Sequence, residues 1–91
     1  MTDFRTFDVF ESNNGVQYLK FFDNGYGVSI IKNDMSYGHE LGLWELAVVK
    51  GDVDNYDLYF DTPIASDVVG FLNEEEVNDL VSQVQAYEET N

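Results

Sequence analysis

A chain of 91 residues with a formal net charge of −14 has room for one domain. It has no means of gripping nucleic acid directly, since phosphate is held mainly by Lys and Arg and only four stand against eighteen carboxylates. The lack of cysteine removes disulfides, thiolate ligands and thiol nucleophiles, as suits a reducing cytoplasm.

The first sixty residues carry the period of strands, expected at about 5–11, 16–22, 26–32, 43–50 and 56–61. Thr6 to Glu11 alternates, with Phe7 and Val9 on one side. Asn13-Asn14-Gly15 breaks it as a turn, and Val16 to Phe22 resumes it. Asp23-Asn24-Gly25 follows, and Asn-Gly between two apolar runs predicts a two-residue type I′ hairpin. The third strand, Tyr26 to Lys32, puts Tyr26, Val28 and Ile30 on one face. Residues 33–42, with two glycines and no periodicity, read as a long loop. Leu43 to Val49 reads as a central strand, apolar on both sides. A turn over 51–55 leads to Tyr56-Asp57-Leu58-Tyr59-Phe60, ended by Pro63, which has no N–H for the ladder.

The period then changes. Ser66 is placed to cap a short helical turn over Asp67-Val68-Val69, stopped by Gly70. Asn73-Glu74-Glu75-Glu76 is a helix start: Asn73 as N-cap, Glu76 at the capping-box position, Leu72 placed to staple onto Val77. Val77, Leu80, Val81, Val84 and Tyr87 form one apolar stripe, which predicts a helix over about 74–87 with a fraying tail, 88–91. The expected fold is α+β: one domain, an antiparallel meander of about five strands with one C-terminal amphipathic helix on one face. Seven Phe, six Tyr and one Trp supply its core, against the disorder that low hydrophobicity and high charge would otherwise favour.

Charge is unevenly placed. The first 22 residues carry −1, residues 23–50 carry −2, and residues 51–91 hold eleven carboxylates and no Lys or Arg. No apolar run approaches the roughly 18–20 residues of a membrane span, an anionic membrane surface would repel the chain, and Met1-Thr2-Asp3-Phe4-Arg5 lacks the basic start and apolar run of a signal peptide. A cytoplasmic setting is expected.

Catalytic motifs are sparse. His39 is the one histidine and lies beside Glu40, so a His–carboxylate pair is conceivable, but a solvent-exposed loop histidine is the plainer reading. No serine has a base or oxyanion motif around it. Asp52-Val53-Asp54 opens like a calcium loop, yet Tyr56, Asp57 and Pro63 occupy positions where that loop needs a ligand, a glycine and a closing glutamate; a solvated acidic turn is the simpler account of Asp52, Asp54 and Asp57. No enzyme activity, metal or cofactor is expected.

Two surfaces remain. The carboxylates Glu74, Glu75, Glu76, Asp79, Asp67, Asp57 and Asp61 are candidates to contact a basic protein partner, in the extreme case by imitating the phosphates of a duplex; the alternative is that acidity only maintains solubility. Tyr26, Trp44, Tyr56 and Tyr59 are either core residues or, on a sheet face the helix leaves bare, an interface, a homodimer being its simplest form.

The runs NGYGVSII, SYG followed by GLWELAVVKG, and DTPI followed by DVVGFLNEEEVNDLVSQV resemble a family of small acidic proteins of tailed bacteriophages with no assigned activity. The resemblance spans about residues 21–85. It implies the cytoplasm of an infected bacterium and carries over no catalytic or binding residue. The expected function is therefore that of a non-enzymatic protein that binds a host or phage protein, with a homodimeric assembly accessory as the alternative.

Overall fold

In a computed structural model, which describes residues 3–12 and 14–88, the chain forms six antiparallel strands and one helix. Asn13 of the expected first turn and tail residues 89–91 lie outside the described residues. The strands are β1 (Asp8–Ser12), β2 (Gly15–Phe21), β3 (Tyr26–Asn33), β4 (Trp44–Asp52), β5 (Asn55–Leu58) and β6 (Val69–Leu72), and the helix is α1 (Glu74–Ala86). Strands β1 to β5 run as a meander, and β6 joins β4. The α+β fold expected from the sequence is the one observed.

Three local expectations are corrected. The chain before β1 is not extended: Phe4–Thr6 makes a 3₁₀ turn capped by Asp3, whose side chain accepts the Arg5 N–H, a local bond that competes with strand pairing. The β2–β3 hairpin is not a two-residue I′ turn. Phe22 bonds Tyr26 and Gly25 bonds back to Phe22, and only Gly25, at φ 87°, has positive φ, giving a three-residue loop with glycine in the left-handed position. Residues 67–69 form no helical turn; the chain runs instead into β6. The reason lies in β4. Strand β5 is four residues long and pairs only with Val49–Asp52, leaving the same edge of β4 unpaired at Trp44–Leu46. Strand β6 fills it, with Leu72 opposite Trp44 and Val69 opposite Leu46.

Helix α1 starts as the sequence predicts. The Asn73 side chain accepts the Glu76 N–H at 2.8 Å, and the Glu76 carboxylate accepts the Asn73 N–H at 3.0 Å. Three acidic residues in that turn suit the positive end of the helix dipole. Val77, Val81 and Val84 are buried against a core that includes Val28, Ile30, Leu46 and Val48. Each fully buried aliphatic side chain of this kind contributes about 1.5–3 kcal/mol relative to exposure. Aromatic rings close both flanks: Phe4 meets Trp44 and Tyr18 edge-on at 5.1 and 5.2 Å, and Tyr26 meets Tyr87 and Tyr59 at 5.2 and 5.5 Å.

The helix ends on a side chain from the β2–β3 loop. Asn24 Nδ2 donates to the carbonyls of Val84 (2.8 Å) and Tyr87 (3.0 Å), while its Oδ1 accepts the Tyr26 N–H. That side chain satisfies C-terminal carbonyls that a helix leaves without intrahelical donors. Asn24→Ala is expected to lower unfolding free energy by about 2 kcal/mol, from two or so lost hydrogen bonds, in urea denaturation. Asn24→Asp is expected to be at least as damaging, because it sets a carboxylate against the negative end of the helix. A loss below about 0.5 kcal/mol in both variants would show that the helix end is held by packing alone.

Candidate functional site

The sequence-predicted acidic residues are all exposed, but they do not converge. Glu74, Glu75, Glu76 and Asp79 lie on the first turns of α1. Asp57 lies opposite Lys50 in the sheet, and Lys50 lies opposite Tyr26, whose ring touches Tyr87 just beyond the other end of the helix. Thirteen helical residues separate the two groups by about 20 Å. Asp61 and Asp67 sit in the connection between β5 and β6. Two of the glutamates already have structural partners: Glu74 pairs with Arg5 at 2.6 Å, and Glu76 closes the capping box. The Glu75 side chain makes no hydrogen bond or ion pair among the described residues.

The four candidate interface aromatics divide in the opposite sense from an exposed patch. Tyr26 and Trp44 are buried, 3% and 4% exposed, and Tyr59 packs against the same core. This is a matter of parity: these rings project on the side that carries Val28, Ile30, Leu46 and Val48, and α1 takes that side. Tyr56 alone lies on the other face, half-buried, with its ring 5.3 Å from that of Phe21. Among the described residues, no helix covers that face. Val49 is fully buried at its centre, while Phe10 and Leu58 stay exposed toward its edges.

The cations are drawn inward. Lys32 Nζ lies 4.3 Å from the Trp44 ring centroid, and Lys50 Nζ lies 4.9 Å from that of Tyr59 and 5.2 Å from that of Tyr26. An ammonium over an aromatic face gains roughly 0.5–1 kcal/mol where it remains solvated. With Arg5 bound to Glu74, three of the four basic residues are engaged with groups of their own chain.

A further apolar surface lies on the 33–42 loop, where the sequence shows no periodicity. Met35, Leu41, Tyr37 and Phe71 are 90%, 71%, 60% and 59% exposed, and together with Ser36, Gly38, His39 and Glu40 they line one shallow depression. The loop that carries the first three is tightly bonded. Ser36, itself buried, accepts the Asn33 N–H with Oγ and returns its own N–H to the Asn33 carbonyl. Asn33 Oδ1 accepts the Met35 N–H. His39 Nδ1 donates to the Ser36 carbonyl at 2.5 Å, so the ring is pinned to the loop backbone. His39–Leu41 forms a single 3₁₀ turn between Gly38 and Gly42, both left-handed at φ 89° and 72°.

Strand β6 brings Phe71 to this loop. Between the pairs Trp44–Leu72 and Leu46–Val69 the register shifts, so that Gly70 and Phe71 together oppose Glu45: a β-bulge, the usual device for re-aiming a side chain at a sheet edge. Phe71 N–H donates to the Tyr37 carbonyl at 3.3 Å. Phe71 also has φ 57°, a left-handed conformation that costs a bulky residue about 1–2 kcal/mol. The approach is close enough to need glycine on both sides. A Cβ on Gly70 would stand 2.5 Å from Tyr37 Cβ, and one on Gly38 would stand 2.9 Å from Phe71 Cα.

Comparison with protein-family models, curated proteins and solved structures found no match. Among the described residues, no helix is long and apolar enough to cross a membrane.

The strain at Phe71 gives two expected outcomes in equilibrium unfolding. Phe71→Gly raises stability by about 1 kcal/mol, the relief of left-handed strain less the added freedom of glycine in the unfolded chain. Gly38→Ala lowers it by about 2 kcal/mol, because a Cβ meets the β6 backbone at a positive φ. Loss of stability in Phe71→Gly would show that the ring's contacts outweigh its backbone strain.

Proposed function

We propose that this protein acts by binding another protein, without catalysis, and that Met35, Tyr37, Leu41 and Phe71 form the contact. One observation carries the reading: four large apolar side chains from two segments are held together at the surface by a hydrogen-bonded loop and a strained bulge. Contiguous exposed apolar surface on a soluble monomer is typically a site of interaction. Tyr and other large side chains also dominate interface hot spots. The bonded loop supports the same reading, because a surface ordered before binding loses less conformational freedom on association. The resemblance to acidic phage proteins makes a host or phage protein the natural partner.

Duplex mimicry through the acidic residues is a weaker version of this proposal. Its support is the net charge and the exposed first turn of α1; against it stand the separation of Asp57 from the helix glutamates and the structural roles of Glu74 and Glu76. The second reading, a homodimeric accessory, draws on the helix-free sheet face, where Phe10, Leu58 and Tyr56 are the available apolar groups.

Site-specific photocrosslinking in the producing cell distinguishes these readings. A benzophenone side chain at position 35 or 41 is expected to give a discrete crosslinked species of another protein, whereas one at position 58 or 75 gives none. A product of twice the chain's mass from position 58 would favour the homodimer, and a product from position 75 alone would favour the acidic surface.

A further inference from the structure

The charge around the apolar surface specifies what kind of protein fits it. Asp34 and Glu40 are exposed and adjoin Met35 and Leu41 in the chain. No Lys or Arg occurs between Lys32 and Lys50, and those two ammonium groups rest on the rings of Trp44, Tyr26 and Tyr59. Arg5 is held by Glu74 at the helix start. The apolar patch is therefore flanked by carboxylates and has no cation of its own segment to offset them, on a chain of net charge −14.

That field selects among occupants. A second copy would bring the same sign to the rim, and like-charge juxtaposition disfavours a complex. Nucleic acid and anionic lipid surfaces bring the wrong sign as well. Resting on the reading that this patch binds protein, we infer that its partner is a cationic amphipathic segment: apolar side chains seated on Met35, Tyr37, Leu41 and Phe71, with flanking Lys or Arg reaching Asp34 and Glu40. The patch is built from two segments joined by the Phe71 N–H to Tyr37 carbonyl bond, so it is broader than a pocket for one side chain. It suits the successive anchors of one helix face. Apolar seating supplies most of the affinity, while the rim charges set encounter rate and salt dependence.

The test uses the full chain, labelled with ¹⁵N, and three synthetic helical peptides of about 18 residues, or five turns. One is Leu/Lys amphipathic. A second replaces every Leu with Gln and keeps the charge, and a third replaces every Lys with Ser and keeps the apolar face. The Leu/Lys peptide is expected to shift amide resonances of residues 35–42 and 70–72. Its affinity is expected to fall about tenfold in the Met35→Ser, Leu41→Ser double variant and several-fold in about 0.5 M salt. The Glu74→Gln, Glu75→Gln, Glu76→Gln triple variant keeps its capping geometry and is expected to lose no more than about twofold, as screening over a distance would give. If the Gln/Lys peptide binds as well as Leu/Lys, or the triple variant loses as much as the double, binding is bulk charge attraction and the inference falls. If the Leu/Ser peptide binds the patch as tightly as Leu/Lys at both salt levels, the patch is a protein site but the cationic class is wrong. Absence of any shift at 35–42 with all three peptides also overturns the inference, while crosslinking from positions 35 and 41 decides separately whether the patch binds protein at all.

Discussion

Helix α1 lays Val77, Val81 and Val84 against β3 and β4, on a core that includes Val28, Ile30, Leu46 and Val48. A helix about 10 Å across spans two strands spaced about 4.8 Å apart, and the sheet has six. The one covering element is thus too narrow for the face it must cover. Much of the aromatic content is spent on closing that gap: Phe4, Tyr18 and Trp44 on one flank, and Tyr26, Tyr59 and Tyr87 at the other. The helix is tied down at both ends by polar groups outside it, with Phe4 N–H bonded to Asn78 near its start and Asn24 bonded to the carbonyls at its end. Rings that a reader of the sequence could assign to an interface are in fact what allows so short a helix to close a core.

The same economy shapes the charge distribution. Lys32 and Lys50 project on the helix side of the sheet, where they lie on the rings that fill the flanks. Residues 51–91 contribute no Lys or Arg of their own, so among their carboxylates Glu74 draws its counter-charge from Arg5 at the other end of the chain. The seven acidic residues singled out in the sequence do not form one concentrated site; they lie toward both ends of α1 and in the connection between β5 and β6. A diffuse negative field of this kind acts over the whole surface and does not by its geometry define a site.

The edge of β4 is shaped in more detail. Strand β5 uses one half of that edge and β6 the other, and the bulge between Val69 and Leu72 turns Phe71 out beside the 34–43 loop. Left-handed Gly38 and Gly42, buried Ser36 and the His39–Ser36 bond hold the loop in one shape. Met35, Tyr37 and Leu41 are thereby kept at the surface. The backbone cost at Phe71 is small beside typical domain stability, yet the ring stays 59% exposed, so burial offsets it only in part. Strain of this kind is characteristic of functional surfaces.

The amino-acid order alone determines the elements whose forces are local. Alternation fixes β2 and β3, a short apolar run fixes β4, and the period of two sets which of their side chains share a face. Asn73-Glu74-Glu75-Glu76 followed by valines at helical spacing fixes the start and the buried stripe of α1. Such signals lie within a few residues of one another, so they are legible before any folding is considered. The hairpin at Asn24, β6 and the site at Phe71 are different. Asn24 is drawn out of the type I′ turn that Asn-Gly favours because its side chain caps a helix sixty residues away. Val69 to Leu72 becomes a strand because β5 stops short and leaves β4 an unpaired edge. Phe71 joins Met35, Tyr37 and Leu41 only through that pairing, and nothing in the sequence around position 35 points to position 71. Those features were decided by tertiary structure, since each satisfies a hydrogen-bonding group or a bare surface that exists only once distant segments have met.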